Sequence, residues 1–151
     1  MQNESEHLYW NNYWMEFNQD PKSKKQYRGF WNKDRTNWQG LGEIKFSDGS
    51  CYQGQTQNKL FNGKGRMNHS NGDIYQGEWK NGKADGFGIF VDTEGSMYEG
   101  EWINDLQNGH GVESWNNGKM KYSGDFVEGK KTGKGKFEFE GSTYEGDFVD
   151  G

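Results

Sequence analysis

Six copies of one short string punctuate the chain: YRGFW from Tyr27, YQGQT from Tyr52, YQGEW from Tyr75, YEGEW from Tyr98, YSGDF from Tyr122 and YEGDF from Tyr144. Their tyrosines are spaced by 25, 23, 23, 24 and 22 residues. A second element, Gly-x-Gly, recurs between them at Gly40/Gly42, Gly63/Gly65, Gly86/Gly88, Gly109/Gly111 and Gly133/Gly135, 11 residues after its tyrosine in every copy but the first. Two features locked to one period mean a row of small supersecondary units, each burying its apolar side only against its neighbours. A helical bundle or a three-layer α/β enzyme does not fit such a period, and 24 glycines with a single proline and a single alanine argue equally against long helices.

Turn chemistry divides each period in two. One turn lies at Asn81-Gly82, Glu128-Gly129 and Asp150-Gly151; the other precedes each new tyrosine at Asp48-Gly49, Asn71-Gly72, Glu94-Gly95, Asn117-Gly118 and Glu140-Gly141. Such pairs suit the positive φ of tight hairpins. Two turns per period predict two strands per period, typified by Ile74 to Trp79 and Phe87 to Val91, joined as an antiparallel meander.

Alternation sorts the faces. Tyr75, Gly77 and Trp79 share one side, Gln76 and Glu78 the other, and the second glycine of each Gly-x-Gly starts a like-facing set such as Gly88 and Phe90. Only 29% of the residues are apolar, whereas Trp, Tyr and Phe number 7, 8 and 10, so flat rings must supply the core. A glycine leaves space for a neighbouring ring to lie across the backbone. Ring over glycine, repeated laterally, predicts a thin sheet whose cross-strand aromatic pairs contribute about 0.2–1 kcal/mol each.

The pattern Tyr-x-Gly-acidic-aromatic, Gly-x-Gly and Asp/Asn-Gly resembles the MORN repeat, membrane occupation and recognition nexus, over Tyr27 to Gly151. The resemblance implies an all-β, elongated, single-layer antiparallel meander of stacked hairpins with a concave aromatic trough, about 50 Å long at ten or eleven strands. On this reading residues 27–151 form five repeats and a half. The chain departs from the pattern at Thr56, where other copies have Trp or Phe, at Glu113, where an apolar residue is expected, and by two extra residues near Thr36 to Trp38.

No nucleophile with a base, phosphate loop or convergent ligand set stands at a useful spacing, and the expectation is a non-enzyme with no cofactor or metal. His7, His69 and His110 are scattered, and Cys51 reads as a small packing residue before Tyr52. The recurring carboxylates Glu78, Glu101, Asp125 and Asp147 read as a solvated ladder bridged by Lys64 and Lys134, or as a docking row for a basic partner. A net charge of −5 gives no general attraction for nucleic acid. The lone cysteine and the absence of a leader pattern predict a soluble, intracellular chain.

The head, residues 1–26, carries Trp10, Tyr13, Trp14 and Phe17 at helical spacing, with Ser5 as N-cap and Pro21 as stop. This predicts a short aromatic helix that covers the first hairpin or lies in the trough, or serves as a docking anchor. At the far end the strand Tyr144 to Val149 leaves an unpaired edge, open to strand addition from another chain unless the sequence continues. A homodimer is compatible with the family resemblance.

Two functional expectations follow. The first is a scaffold or adaptor that holds a partner protein segment in the trough through Tyr75, Trp79, Tyr98, Trp102, Tyr122 and Phe126, aided by Trp10 and Trp14; the resemblance implies a cytoplasmic setting in cilia, flagella, radial-spoke heads of the axoneme or other cytoskeletal structures. The alternative is a phosphoinositide- or membrane-tethering module acting through Lys130, Lys131, Lys134 and Lys136, with a second basic group at Lys22, Lys24, Lys25 and Arg28.

Overall fold

The computed structural model describes residues 15–19, 24–34 and 36–151. They form one 12-stranded antiparallel sheet in which every strand pairs with its sequence neighbours. The strands are β1 (Met15–Gln19), β2 (Gln26–Trp31), β3 (Trp38–Lys45), β4 (Cys51–Gln57), β5 (Leu60–Asn68), β6 (Ile74–Lys80), β7 (Lys83–Val91), β8 (Met97–Ile103), β9 (Leu106–Trp115), β10 (Met120–Val127), β11 (Lys130–Phe139) and β12 (Ser142–Phe148). The all-β single-layer meander holds, and no helix occurs among the described residues.

The register explains the glycines. Gly29, Gly42, Gly54, Gly65, Gly77, Gly88, Gly100, Gly111, Gly124, Gly135 and Gly146 stand opposite one another in turn, a bare lane crossing the sheet from β2 to β12. Each hairpin's tyrosine lies over the lane: a Cβ on Gly88 falls 2.6 Å from Tyr75 Cζ, and one on Gly135 falls 2.6 Å from Tyr122 Cε2. The phenol oxygens donate to the carbonyl three residues on, Tyr52 to Gln55 at 2.6 Å, Tyr75 to Glu78 at 2.9 Å and Tyr98 to Glu101 at 2.9 Å. Tyrosine is therefore needed rather than phenylalanine, because its hydroxyl satisfies a carbonyl beside a break in the ladder.

That break is a bulge. Gly77 pairs with Gly88 and Trp79 with Ala84, so three residues of β7 face Glu78 alone. The first glycine of the pair, Gly86, sits in the bulge at φ +107. The second strand of the period therefore starts at Lys83, four residues earlier than Phe87, because pairing resumes beyond the bulge. Bulges bend a strand, and here the hairpin tips stack on one another: Gly82 N–H donates to Phe61 O, Asp105 to Ala84 and Gly129 to Gln107, each at 2.9 Å.

The rings interlock along the sheet. Trp79 meets Tyr52 at 5.5 Å and Tyr75 at 4.8 Å; Trp102 meets Tyr75 and Tyr98; Phe126 meets Tyr98 and Tyr122, all edge to face. Such contacts are worth about 0.5–1.5 kcal/mol each beyond their area. Trp79 and Trp102 also donate Nε1–H to the lane carbonyls of Gly65 and Gly88 in the preceding hairpin, at 3.0 and 3.1 Å.

The departures are compensated. Thr56 is buried and donates to Gly40 O at 2.9 Å, while Phe61 across from it stacks on Tyr52 at 4.0 Å. In the longer β2–β3 connection the Asn32 carboxamide oxygen accepts N–H groups of Thr36 and Asn37. Of the expected head helix, Trp10, Tyr13 and Trp14 lie outside the described residues, but Met15–Gln19, which contains Phe17, is strand and pairs with β2. Extending the sheet satisfies backbone groups that β2 would leave unpaired.

Candidate functional site

The rings that the sequence put forward as contact residues are the core. Tyr75, Trp79, Tyr98, Trp102, Tyr122 and Phe126 are between 0% and 9% exposed. Trp10 and Trp14 lie outside the described residues. The surface offered on this ring face comes instead from the half-buried Phe46, Phe61, Phe90, Trp115, Phe137 and Phe148 packed around those rings.

Between the ring floor and the stacked tips runs a groove. Its first stretch, about 350 Å³, is lined among others by Lys25, Trp38, Phe46, Leu60, Phe61 and Met67. Its second, about 570 Å³, is lined by Met67, Tyr75, Trp79, Ala84, Phe90, Trp102 and Leu106. Phe61, Met67, His69 and Gly82 border both stretches, so the two adjoin. Lys25 Nζ lies 5.3 Å from the Phe46 ring at one end.

In the fifth hairpin the corresponding space is filled from within. Lys131 Nζ stands 4.8, 5.4 and 5.6 Å from the ring centres of Trp115, Tyr122 and Phe126, and 2.5 Å from Glu113 Oε2. Glu113 thus stands where an apolar residue was expected because it is the counter-ion of a lysine held among rings.

The basic group at 130–136 is divided. Strand alternation sends Lys131 to the ring face and Lys134 and Lys136 to the other. Each is matched by a carboxylate: Lys130 with Asp150 at 3.6 Å, Lys134 with Asp147 at 2.8 Å and Lys136 with Glu138 at 2.8 Å. Arg28 pairs with Glu43 at 2.6 Å, and Lys22 lies outside the described residues. Among the described residues, Lys130, Lys131, Lys134 and Lys136 form no converging cationic patch.

The recurring carboxylates have a structural task that the sequence reading missed. Glu78 Oε2 accepts the Phe87 N–H at 2.6 Å, and in the second hairpin Gln55 Oε1 accepts the Lys64 N–H at 2.6 Å, each capping a bulge. Asp125 meets His110 at 3.3 Å and Asp147 meets Lys134. The signal was available: every one of these side chains lies opposite a Gly-x-Gly.

Burial pushes the phenols of Tyr27, Tyr52, Tyr75 and Tyr122 up from their ordinary range, and that of Tyr98, with Glu101 and Glu113 nearby, up to about 12. Burial, with Glu43 beside it, likewise raises the Cys51 thiol, which makes it a packing group rather than a nucleophile. Among the described residues no cluster of His, Cys, Asp and Glu is arranged to hold a metal ion, and no helix is long and apolar enough to cross a membrane.

No curated protein matches the chain. The MORN repeat matches it four times, over residues 52–74, 75–97, 98–120 and 122–142. Each match begins at or beside a lane tyrosine and ends where the next hairpin begins, and together they cover more than half of the sequence. MORN repeats are protein- and membrane-binding modules, and with the ring-on-glycine lane present in each of these hairpins, the chain belongs to the MORN-repeat family.

Proposed function

We propose that the chain is a non-catalytic scaffold or adaptor subunit that holds a segment of a partner protein along the ring-face groove. The observation that carries this reading is the pair of adjoining, largely apolar stretches of groove from Lys25 to Leu106, walled by Phe46, Phe61 and Phe90. Exposed aromatic surface in a groove of this size is characteristic of sites that anchor side chains. The core rings Tyr75, Trp79 and Trp102 floor the groove and hold the wall residues in place. The membrane alternative loses its basis at Lys130, Lys131, Lys134 and Lys136, whose charges are paired and split between faces. The setting we propose, a cytoplasmic assembly of cilia, radial spokes or other cytoskeletal structures, rests on the family resemblance and is tested by where a tagged chain localises.

The experiment is site-specific photocrosslinking in extract of the cells that express the protein. A benzophenone side chain at Phe90, in the groove, is expected to capture one discrete partner. The same group at Phe87, 51% exposed on the opposite face, is expected to capture nothing. Equal capture from both positions, or pelleting of the chain with phosphoinositide vesicles in place of protein capture, overturns the reading.

A further inference from the structure

Just beyond each bulge, a ring-face position in the second strand faces the tyrosine of its own hairpin. Trp38 fills it in the first hairpin and stacks on Tyr27 at 4.5 Å and 8°. Phe61 fills it in the second, stacked on Tyr52 at 4.0 Å and 15°. Lys131 fills it in the fifth, 5.4 Å from Tyr122. The third hairpin has Ala84 there, opposite Trp79, and the wide stretch of the groove opens in front of it.

We propose that the space before Ala84 is an acceptor for one aromatic side chain of the partner protein, tryptophan or phenylalanine, which takes the place that Phe61 takes one hairpin earlier. The inference rests on the groove being the partner site. The about 570 Å³ there lies within the range of sites that enclose small ligands. Its walls are Met67, Trp79, Ala84, Phe90, Trp102 and Leu106. The charge of the site selects a neutral ring over an ammonium group. Where a lysine occupies the equivalent space, Glu113 stands opposite Tyr122 on the preceding strand to balance it; here Met67 stands in that place opposite Tyr75, and the Asp105 carboxylate, which also borders the space, accepts the Ala84 N–H at 2.7 Å. A cation entering here would lose part of its hydration without the facing carboxylate that Glu113 presents to Lys131.

Ala84 is the single alanine of the sequence, so methyl labelling of alanine gives one NMR signal at the site itself. The full chain is titrated with N-acetyl-tryptophanamide and, separately, with N-acetyl-lysinamide. The expected result is a saturable ring-current shift of the Ala84 methyl with the first probe alone. Met67→Glu, which copies Glu113, is expected to weaken the tryptophan response at least tenfold and to create a response to the lysine probe. Ala84→Phe, which copies Phe61, is expected to abolish the tryptophan response read at the Met67 methyl and to abolish partner capture from position 90.

No saturable shift in the wild-type chain overturns the proposal. If the shift appears only after Trp10→Ala with Trp14→Ala, the occupant is the chain's own head and not a partner. If the Ala84 methyl shifts with protein concentration alone, it is a second copy. Capture from position 90 that survives Ala84→Phe defeats this site while leaving the adaptor function standing; loss of capture in the wild-type chain defeats the function itself.

Discussion

Gly88→Ala tests the ring-on-glycine lane with one added methyl group. Gly88 is not among the positive-φ glycines, so alanine suits its backbone and the cost is steric. The new Cβ falls 2.6 Å from Cζ and 2.7 Å from Cε2 of Tyr75, and nearer still to Oη. The ring then has two ways to respond. It can lift away, losing its hydrogen bond to the Glu78 carbonyl, about 1 kcal/mol net, and two edge contacts with Trp79 and Trp102, about 0.5–1.5 kcal/mol each. Or it can stay in an overpacked site at about 1–3 kcal/mol. The cheaper response sets the cost, about 1–3 kcal/mol, out of a total stability of order 5–15 kcal/mol.

Urea unfolding read by tryptophan fluorescence measures the loss, and amide exchange in β6 to β8 shows whether it is local to the third hairpin, as expected for a one-dimensional array. Tyr75→Ala removes the clash, so Gly88→Ala in that background is expected to cost under about 1 kcal/mol, a coupling of about 2 kcal/mol. Gly118→Ala is the control: a Cβ there meets nothing within 4 Å, but φ is +81, so its cost of about 1–2 kcal/mol is purely conformational. A loss under about 1 kcal/mol for Gly88→Ala alone, or the same loss with and without the Tyr75 ring, refutes the scheme.

Three further outcomes are expected. Glu78→Ala strips the cap from the Phe87 N–H and should cost about 1–2 kcal/mol in the same unfolding assay, whereas Glu78→Gln, which copies Gln55, should cost little. The phenols that burial holds protonated make stability full below about pH 10, where an unfolded tyrosine begins to ionise, and falling as pH rises through the folded value, about 12 for Tyr98; absorbance at 295 nm should therefore rise together with loss of the near-ultraviolet dichroism, and ionisation of all tyrosines in a still-folded chain would contradict it. Lys131→Ala leaves the mostly buried Glu113 carboxylate without a counter-ion and should cost about 2–3 kcal/mol by thermal unfolding, while Lys131→Phe with Glu113→Phe, which restores rings found in other hairpins, should recover most of it; no recovery would mean that the pair is not simply a substitute for apolar packing.

The period, the hairpins, the sheet order and the ring over glycine were legible because each follows from a local rule repeated at fixed spacing. Alternation placed the second glycine of Gly-x-Gly, Gly88, with the ring-facing set, but the bulge at the first, Gly86, was not legible, because it is set by which residues face Glu78 and therefore by pairing rather than composition. The depth at which the proposed contact rings are buried was hidden for a related reason. A ring can serve core and groove at once, and in a one-layer sheet with few aliphatics Tyr75 and Trp79 are buried in the core while also lining the groove. The tip-to-tip bonds that wall the groove link residues one repeat apart, such as Gly82 with Phe61, and leave no mark within a single repeat. The division of Lys131 from Lys134 and Lys136 was open to the same alternation that sorted Tyr75 from Gln76. Phe17 joined the sheet because an unpaired edge at β2 outweighs the helical spacing of four rings.

The lane cannot carry specificity, since any side chain larger than glycine collides there with backbone or tyrosine. Variation is free only where two residues trade volume across the pair beyond the bulge: Thr56 with Phe61, Trp79 with Ala84, Trp102 with Gln107, Phe126 with Lys131. Each small or polar member either admits its partner's bulk or leaves space that the hairpin does not fill. An array of near-identical units thus obtains a non-uniform groove, filled by Phe61, open at Ala84 and stopped by Lys131, without altering the core. Changing the small member of one pair should accordingly alter which guest is held while leaving the neighbouring hairpins unchanged, as expected where stability is a sum of repeats and their interfaces.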